Sequence, residues 1–149
     1  AEGRLKAPDL PRGGVTFHDP CYLARINNQS DAPRRALGDV SDLDDAIDPQ
    51  DGPGRLVEPA HFGRKTLCCG AGGGRMFMEE PAEQRPGNRR ARELLETGAK
   101  TIAVGCPFCR IMLDASLKQV TEEDVRLVDL AELLQESNRA ATDAGQITS

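Results

Sequence analysis

Apolar positions fall into short runs, each bounded by glycine, proline or a polar stretch. Val15 to Phe17, inside GGVTFHDP, reads as a short buried strand running into a turn that delivers Cys21. In SDAPRRALG the pattern turns helical, with Asp31 as a cap, Pro33 in the first turn and Gly38 as the stop. RLVEP, residues 55–59, predicts a second short strand, and KTLCCGAGGG follows as strand end and loop. Met76 to Glu80 predicts a helical turn, interrupted by Pro81 and Pro86. Asn88 is placed to cap a helix that gathers Ala91, Leu94 and Leu95 on one face and closes at Gly98. KTIAVG is the clearest strand and leads straight into CPFC. RIMLDASLKQV predicts a helix with Ile111, Met112 and Ala115 turned inward. VRLVD is a last strand, and Asp129 with Glu132 forms the pattern of a capping box for LAELLQES.

Strands alternating with helices predict an α/β domain: a short parallel sheet of about four strands, flanked by helices. In such sheets, sites collect where loops leave the carboxyl ends of strands. Cys21, Cys68, Cys69, Cys106 and Cys109 each follow a predicted strand, so residues scattered along the chain are expected to converge at one sheet edge. Residues 1–12 read as a flexible lead, 13–136 as the domain, and 137–149 as a disordered tail. Residues 39–54, DVSDLDDAIDPQDGPG, are acidic and rich in proline and glycine; they predict a mobile surface insertion whose charge is a solvated face.

Composition narrows the picture. The 149 residues suffice for one domain with a core, and with 3% aromatics that core is built from Leu, Val, Ile and Ala. A net charge of −5 with both signs interspersed argues against nucleic acid as a partner. No run reaches the length of a membrane span and no secretory segment opens the chain. The polar lead from Ala1 reads as a fragment boundary within a longer protein.

The five cysteines carry the chemistry. An odd number fits a secreted disulfide framework poorly, and thiols in a reducing compartment point to metal or redox work. A single structural zinc favours two Cys-x-x-Cys knuckles, whereas only Cys106 and Cys109 form such a pair. Side chains of the adjacent Cys68 and Cys69 point apart in an extended segment, which suits a polynuclear iron–sulfur centre better than one ion. Gly70, Gly72, Gly73 and Gly74 would let the backbone approach closely and aim N–H groups at sulfurs; the alternative is a plain tight turn. A dinucleotide fingerprint fails because Arg75 occupies its third glycine position, and no Gly-Lys-Ser/Thr of a phosphate loop is present. Strand, Cys-Pro-Phe-Cys and helix also describe a glutaredoxin-like redox site. That motif opens its own fold, however, whereas here it comes late and leaves three cysteines without a role.

HDPC at 18–21, CCGAGG at 68–73 and GCPFC at 105–109 resemble the CCG, or cysteine-rich, domain. This domain occurs in the B subunit of heterodisulfide reductase, in glycolate and lactate oxidation systems, and in bacterial iron–sulfur oxidoreductases linked to electron-transfer flavoprotein. The resemblance runs from about Val15 to Leu134, and DPCYLARINNQSDAPRRAL and GGGRMFMEE are most similar to the flavoprotein-linked group. Between Cys21 and Cys68 lie 46 residues, longer than the family pattern by about the acidic insertion. The resemblance implies a [4Fe-4S] cluster, non-cubane in heterodisulfide reductase, with Cys21, Cys68, Cys69, Cys106 and Cys109 as ligands; zinc is the alternative metal.

The expected function is that of a cluster-binding domain of a larger oxidoreductase, inactive as a fragment. Electrons would pass between a flavoprotein, such as electron-transfer flavoprotein, and a quinone or disulfide acceptor. A ferredoxin-type module and membrane segments elsewhere in the protein would hold it at the cytoplasmic side of a membrane. A zinc-stabilised interaction module and a thiol–disulfide exchanger are the other readings. His18 either donates to a cluster sulfur or moves a proton, or it braces a turn. Asp19-Pro20 reads as turn chemistry, and Arg75 and Arg110 as surface arginines. Met76, Phe77 and Met78 read as a dry packing wall, and His61 has no assignable partner.

Overall fold

A computed structural model of the chain describes residues 10–38 and 54–146. Three strands, β1 (Val15–His18), β2 (Thr101–Val104) and β3 (Arg126–Asp129), form a parallel sheet in the order β1-β2-β3. The register pairs Phe17 with Ala103 and Val104 with both His18 and Asp129. Four helices accompany the sheet: α1 (Asp31–Ala36), α2 (Pro86–Leu95), α3 (Pro107–Val120) and α4 (Leu130–Gln146).

Alternation along the strands divides the core in two. Ile102 and Val104 face α2 and α3, packing with Ala91, Leu94, Leu113 and Leu117. Val15, Phe17, Ala103 and Val128 face the other way, against Leu37, Leu56 and Leu133. Each fully buried side chain of this size stabilises the fold by roughly 1.5–3 kcal/mol. The same alternation turns His18 toward the α2/α3 face, and that orientation decides its neighbours.

Several sequence expectations are corrected. The sheet has three strands rather than about four: RLVEP contributes a single parallel bridge, Val15 to Leu56, at the outer edge of β1. Val15 N–H donates to Arg55 O (2.8 Å) and Val57 N–H to Val15 O (2.7 Å). Pairing stops there because Glu58 turns to Arg34 and Pro59 has no N–H to continue a ladder. Cys68 and Cys69 therefore follow a 3₁₀ turn, Gly63–Lys65, and not a strand.

The inward face of α3 is Cys109, Leu113, Ser116 and Leu117; Ile111 and Ala115 are exposed and Met112 is half-buried. Asn88 does not cap α2. Pro86, with φ already fixed for a helix, opens it two residues earlier. The buried Asn88 amide instead donates to Ala82 O (2.9 Å) and Gln119 Oε1 (3.0 Å), fastening α2 to α3.

The Asp129/Glu132 capping box forms as expected: Asp129 Oδ1 accepts from Ala131 N–H (2.8 Å) and Glu132 accepts from Asp129 N–H (3.3 Å). The backbone is helical to Gln146, where the sequence suggested a disordered tail from 137. Of the expected insertion 39–54 only Gly54 is among the described residues, bridged to Leu10, and residues 1–9 of the lead also lie outside them. No helix among the described residues is long and apolar enough to cross a membrane.

Candidate metal centre

Three segments bring the cysteines together. Parallel neighbours β1 and β2 end side by side, so Cys21, three residues after β1, and Cys106, two residues after β2, leave the same sheet edge. Cys106 is the extended N-cap residue of α3, Pro107 opens the helix, and Cys109 sits on its first turn, one turn above Cys106. The N–H groups of that first turn have no intrahelical acceptor, which favours negative charge beside them.

Cys68 and Cys69 arrive on the segment after the 3₁₀ turn, fastened to the first loop from two sides. Asp19, buried, accepts from Gly63 N–H (2.7 Å) and takes both Nη groups of Arg34 (2.8 and 2.9 Å), which also grips Glu58 (2.6 and 2.9 Å). Arg25, in the π-helical turn after Cys21, donates to the carbonyls of Arg64 (2.9 Å) and Thr66. Asp19 is thus a structural tie between two cysteine loops, and more than the turn residue the sequence suggested.

Cys21, Cys69, Cys106 and Cys109 line one cleft of about 250 Å³, with Tyr22, Met76 and Phe108 at its rim. Cys68 joins the set through Cys69, with which its thiol shares a hydrogen bond. All five are free thiols; Cys69 and Cys109 are buried and the others half-buried. Gly70 N–H donates to Cys68 Sγ at 3.2 Å. The Gly72 amide also favours charge on Cys68, and the Ala71 amide on Cys69. Gly70 has φ +94°, and this left-handed turn lets successive amides face the sulfurs.

The hydrogen bond with Cys69, and then burial, push the Cys68 thiol well above its ordinary pKa, against the pull of the Gly70 and Gly72 amides. The Cys69 thiol is pushed up to about 11, mainly by its hydrogen bond with Cys109 and by burial. Thiols packed this closely hold their protons unless a cation takes their place, the linkage expected of a metal site. The donor set fits an iron–sulfur group: five thiols from three segments, with backbone N–H groups aimed at sulfur.

His18 belongs to this site. A ring nitrogen of His18 and the sulfurs of Cys69 and Cys109 all lie within 4.8 Å of one another. Its Nδ1 accepts from Arg90 Nε at 3.0 Å, and its Nε2 is buried without a partner among the described residues. Burial first, and the Arg90 charge second, lower its pKa to about 3. Arg90, 0% exposed, also donates to Glu93 and to His61 O (2.8 Å). His61 has a partner after all: its ring and its N–H (2.9 Å) both meet Glu93 Oε1.

Arg90, Glu93 and Arg34 escaped sequence reasoning because each is an ordinary charged residue on an amphipathic helix, and only long-range packing buries it. Arg75 and Arg110 pair with Glu80 (2.6 Å) and Glu132 (2.9 Å), as surface arginines do. Met76 lines the cleft, but Phe77 and Met78 are exposed. The chain there forms a short 3₁₀ helix, Gly72–Phe77, whose left-handed Gly73 and Gly74 turn the following side chains outward.

A family model described as a cysteine-rich domain, CCG, matches residues 54–114. A protein of Chromohalobacter salexigens called a probable membrane-anchored ferredoxin is 36% identical over 89% of the chain and 18% of its own length. An EtfAB:quinone oxidoreductase of Syntrophomonas wolfei is 35% identical over 90% of the chain and 18% of its own length. A dihydromethanophenazine:CoB–CoM heterodisulfide reductase subunit of Methanosarcina barkeri is 31% identical over 83% of the chain and 27% of its own length. The chain therefore spans only about a fifth to a quarter of the relatives it matches.

Proposed function

The chain belongs to the CCG cysteine-rich domain family, of the iron–sulfur oxidoreductase type, and we propose that it holds a [4Fe-4S] cluster through Cys21, Cys68, Cys69, Cys106 and Cys109. The observation that carries this reading is the single cleft lined by four of these cysteines, with the fifth bonded to one of the four. Five thiolates exceed what a cubane cluster uses, which favours the non-cubane form. When bound, such a cluster supplies one-electron redox chemistry at a potential set by its surroundings.

The chain's own residues have separable tasks in this reading. The thiols bind, and the Gly70, Ala71 and Gly72 amides stabilise charge on sulfur. Asp19, Arg34 and Arg25 hold the first two cysteine loops in register. Tyr22, Met76 and Phe108 limit water at the cleft mouth.

Within the whole protein, the domain would pass electrons between a flavoprotein, such as electron-transfer flavoprotein, and a membrane quinone or a disulfide. The names of relatives support this direction: one is an EtfAB:quinone oxidoreductase and one a heterodisulfide reductase subunit. A ferredoxin-type module and a membrane attachment would reside in other segments of the full protein, as the name of the membrane-anchored ferredoxin suggests.

Anaerobic preparation with iron and sulfide, followed by metal analysis and EPR, tests the reading. About four irons and a similar amount of sulfide per chain are expected. One zinc per chain and no sulfide under the same conditions would favour the interaction module instead.

A further inference from the structure

We propose that His18 is a fixed hydrogen-bond donor to the sulfurs of this centre, held in one tautomer by Arg90, and not a ligand to its metal; the proposal rests on the metal-centre reading above. The placement of protons decides its role. A guanidinium only donates, so Arg90 Nε–H, 3.0 Å from His18 Nδ1, obliges that nitrogen to use its lone pair as acceptor. A neutral imidazole then carries its proton on Nε2. A proton on Nδ1 as well would set two N–H groups face to face at 3.0 Å, so the geometry itself requires the neutral ring.

Coordination through Nε2 would require that nitrogen's lone pair. It would be free only in an imidazolate, or after the proton moved to Nδ1, where two N–H groups would confront each other. Arg90 therefore excludes the role that the proximity of His18, Cys69 and Cys109 first suggests.

What remains is a buried N–H without a partner among the described residues, on a ring that brings a nitrogen within 4.8 Å of two sulfurs. A buried donor is costly unless it is bonded, and a thiolate or sulfide is the acceptor at hand. The orientation is set from behind. Arg90 is anchored by Glu93 and by the His61 carbonyl, and Glu93 is braced by the His61 ring and backbone N–H. A line of hydrogen bonds thus runs from a half-exposed histidine to His18, and each member fixes the next. Reduction places more negative charge on sulfur, so a donor there stabilises the reduced form and raises the potential.

Two readouts decide the matter. In the 15N-labelled chain loaded with zinc(II), long-range 1H–15N NMR is expected to show His18 protonated at Nε2 and bound to no metal. Protonation at Nδ1, or a metal-bound Nε2, overturns the proposal. In the chain reconstituted with iron and sulfide, His18→Leu is expected to keep its iron but to show a reduced-to-oxidised ratio about tenfold lower at a fixed poise. That corresponds to a potential lower by about 59 mV for one electron. His18→Gln, which retains an N–H, should recover part of the shift.

An unchanged ratio in His18→Leu, or loss of iron from a folded His18→Leu chain that His18→Cys restores, would overturn the assignment. Should His18→Leu not fold, the tautomer in the unsubstituted chain decides. Failure of the unsubstituted chain to take up iron and sulfide would count against the cluster itself, and the zinc-loaded readout would still settle whether His18 donates or ligates.

Discussion

Gly70 and Gly87 show how two residues without functional groups govern the position of the sulfurs. Gly70 sits at φ +94°, where an L side chain is strained. Gly70→Ala is expected to cost about 1–2 kcal/mol and to turn the amides away from Cys68. Gly87 is a matter of space: a Cβ there would lie 2.8 Å from the Cys69 carbonyl oxygen and 2.5 Å from Ser116 Oγ. A backbone carbonyl of the buried Cys69 cannot retreat cheaply, so Gly87→Ala is expected to cost about 1–3 kcal/mol and to weaken metal uptake. Denaturant titration of the metal-free chain gives the first quantity, and cobalt(II) titration reports the second. Gly70 was legible in the sequence because CCGAGGG advertises a loop. Gly87 was not, because nothing in RPGNRR tells that α2 will start against the back of Cys69.

Between elements, the cysteine loops are aligned by part-buried ion pairs that no short motif encodes. Asp19→Asn removes the charge that holds Arg34 and weakens the acceptor for Gly63 N–H; a loss of about 1–3 kcal/mol is expected, with Glu58 retaining part of Arg34. The measurement is again the unfolding midpoint.

Glu93 gives a pH dependence of definite sign. Burial works against its carboxylate, yet the hydrogen bonds from His61 and Arg90 outweigh burial and hold its pKa below the ordinary value. A carboxylate shifted down in the folded state contributes stability above its unfolded pKa and loses it as pH falls through the folded one. The chain is therefore expected to weaken below about pH 4, and Glu93→Gln to flatten that acid limb in unfolding measured against pH. Strand and helix positions were readable from periodicity and capping residues, as with KTIAVG and Asp129/Glu132. Which face each helix buries was less so. Ile111 and Ala115 share a face with Phe108 that α3 leaves exposed, while α2 claims the face of Leu113 and Leu117.

Among the described residues, a packed core stands beside the edge where the metal is proposed to bind. β1, β2 and β3 with α2 and α3 bury their apolar faces against one another, so the chain should keep its helical circular dichroism when metal is removed. Cys21, Cys68 and Cys106 are half-buried, whereas Cys69 and Cys109 are built into the core. Chelation is therefore expected to open the first three to rapid maleimide labelling, with the last two reacting slowly by mass spectrometry. Convergence of Cys21, Cys106 and Cys109 was readable because each follows a predicted strand of one parallel sheet; Cys68 and Cys69 reach the same edge from a 3₁₀ turn that the sequence did not announce. The line from His61 to His18 was not, since its members are 72 residues apart at the widest hydrogen bond, Arg90 to His18.

The most direct test replaces Cys21, Cys68, Cys69, Cys106 and Cys109 one at a time with serine and counts iron and sulfide in each folded chain. If five sulfurs from three segments hold one centre, every substitution lowers both and alters the EPR spectrum. A Cys21→Ser or Cys68→Ser chain with full iron and an unchanged spectrum would contradict that account.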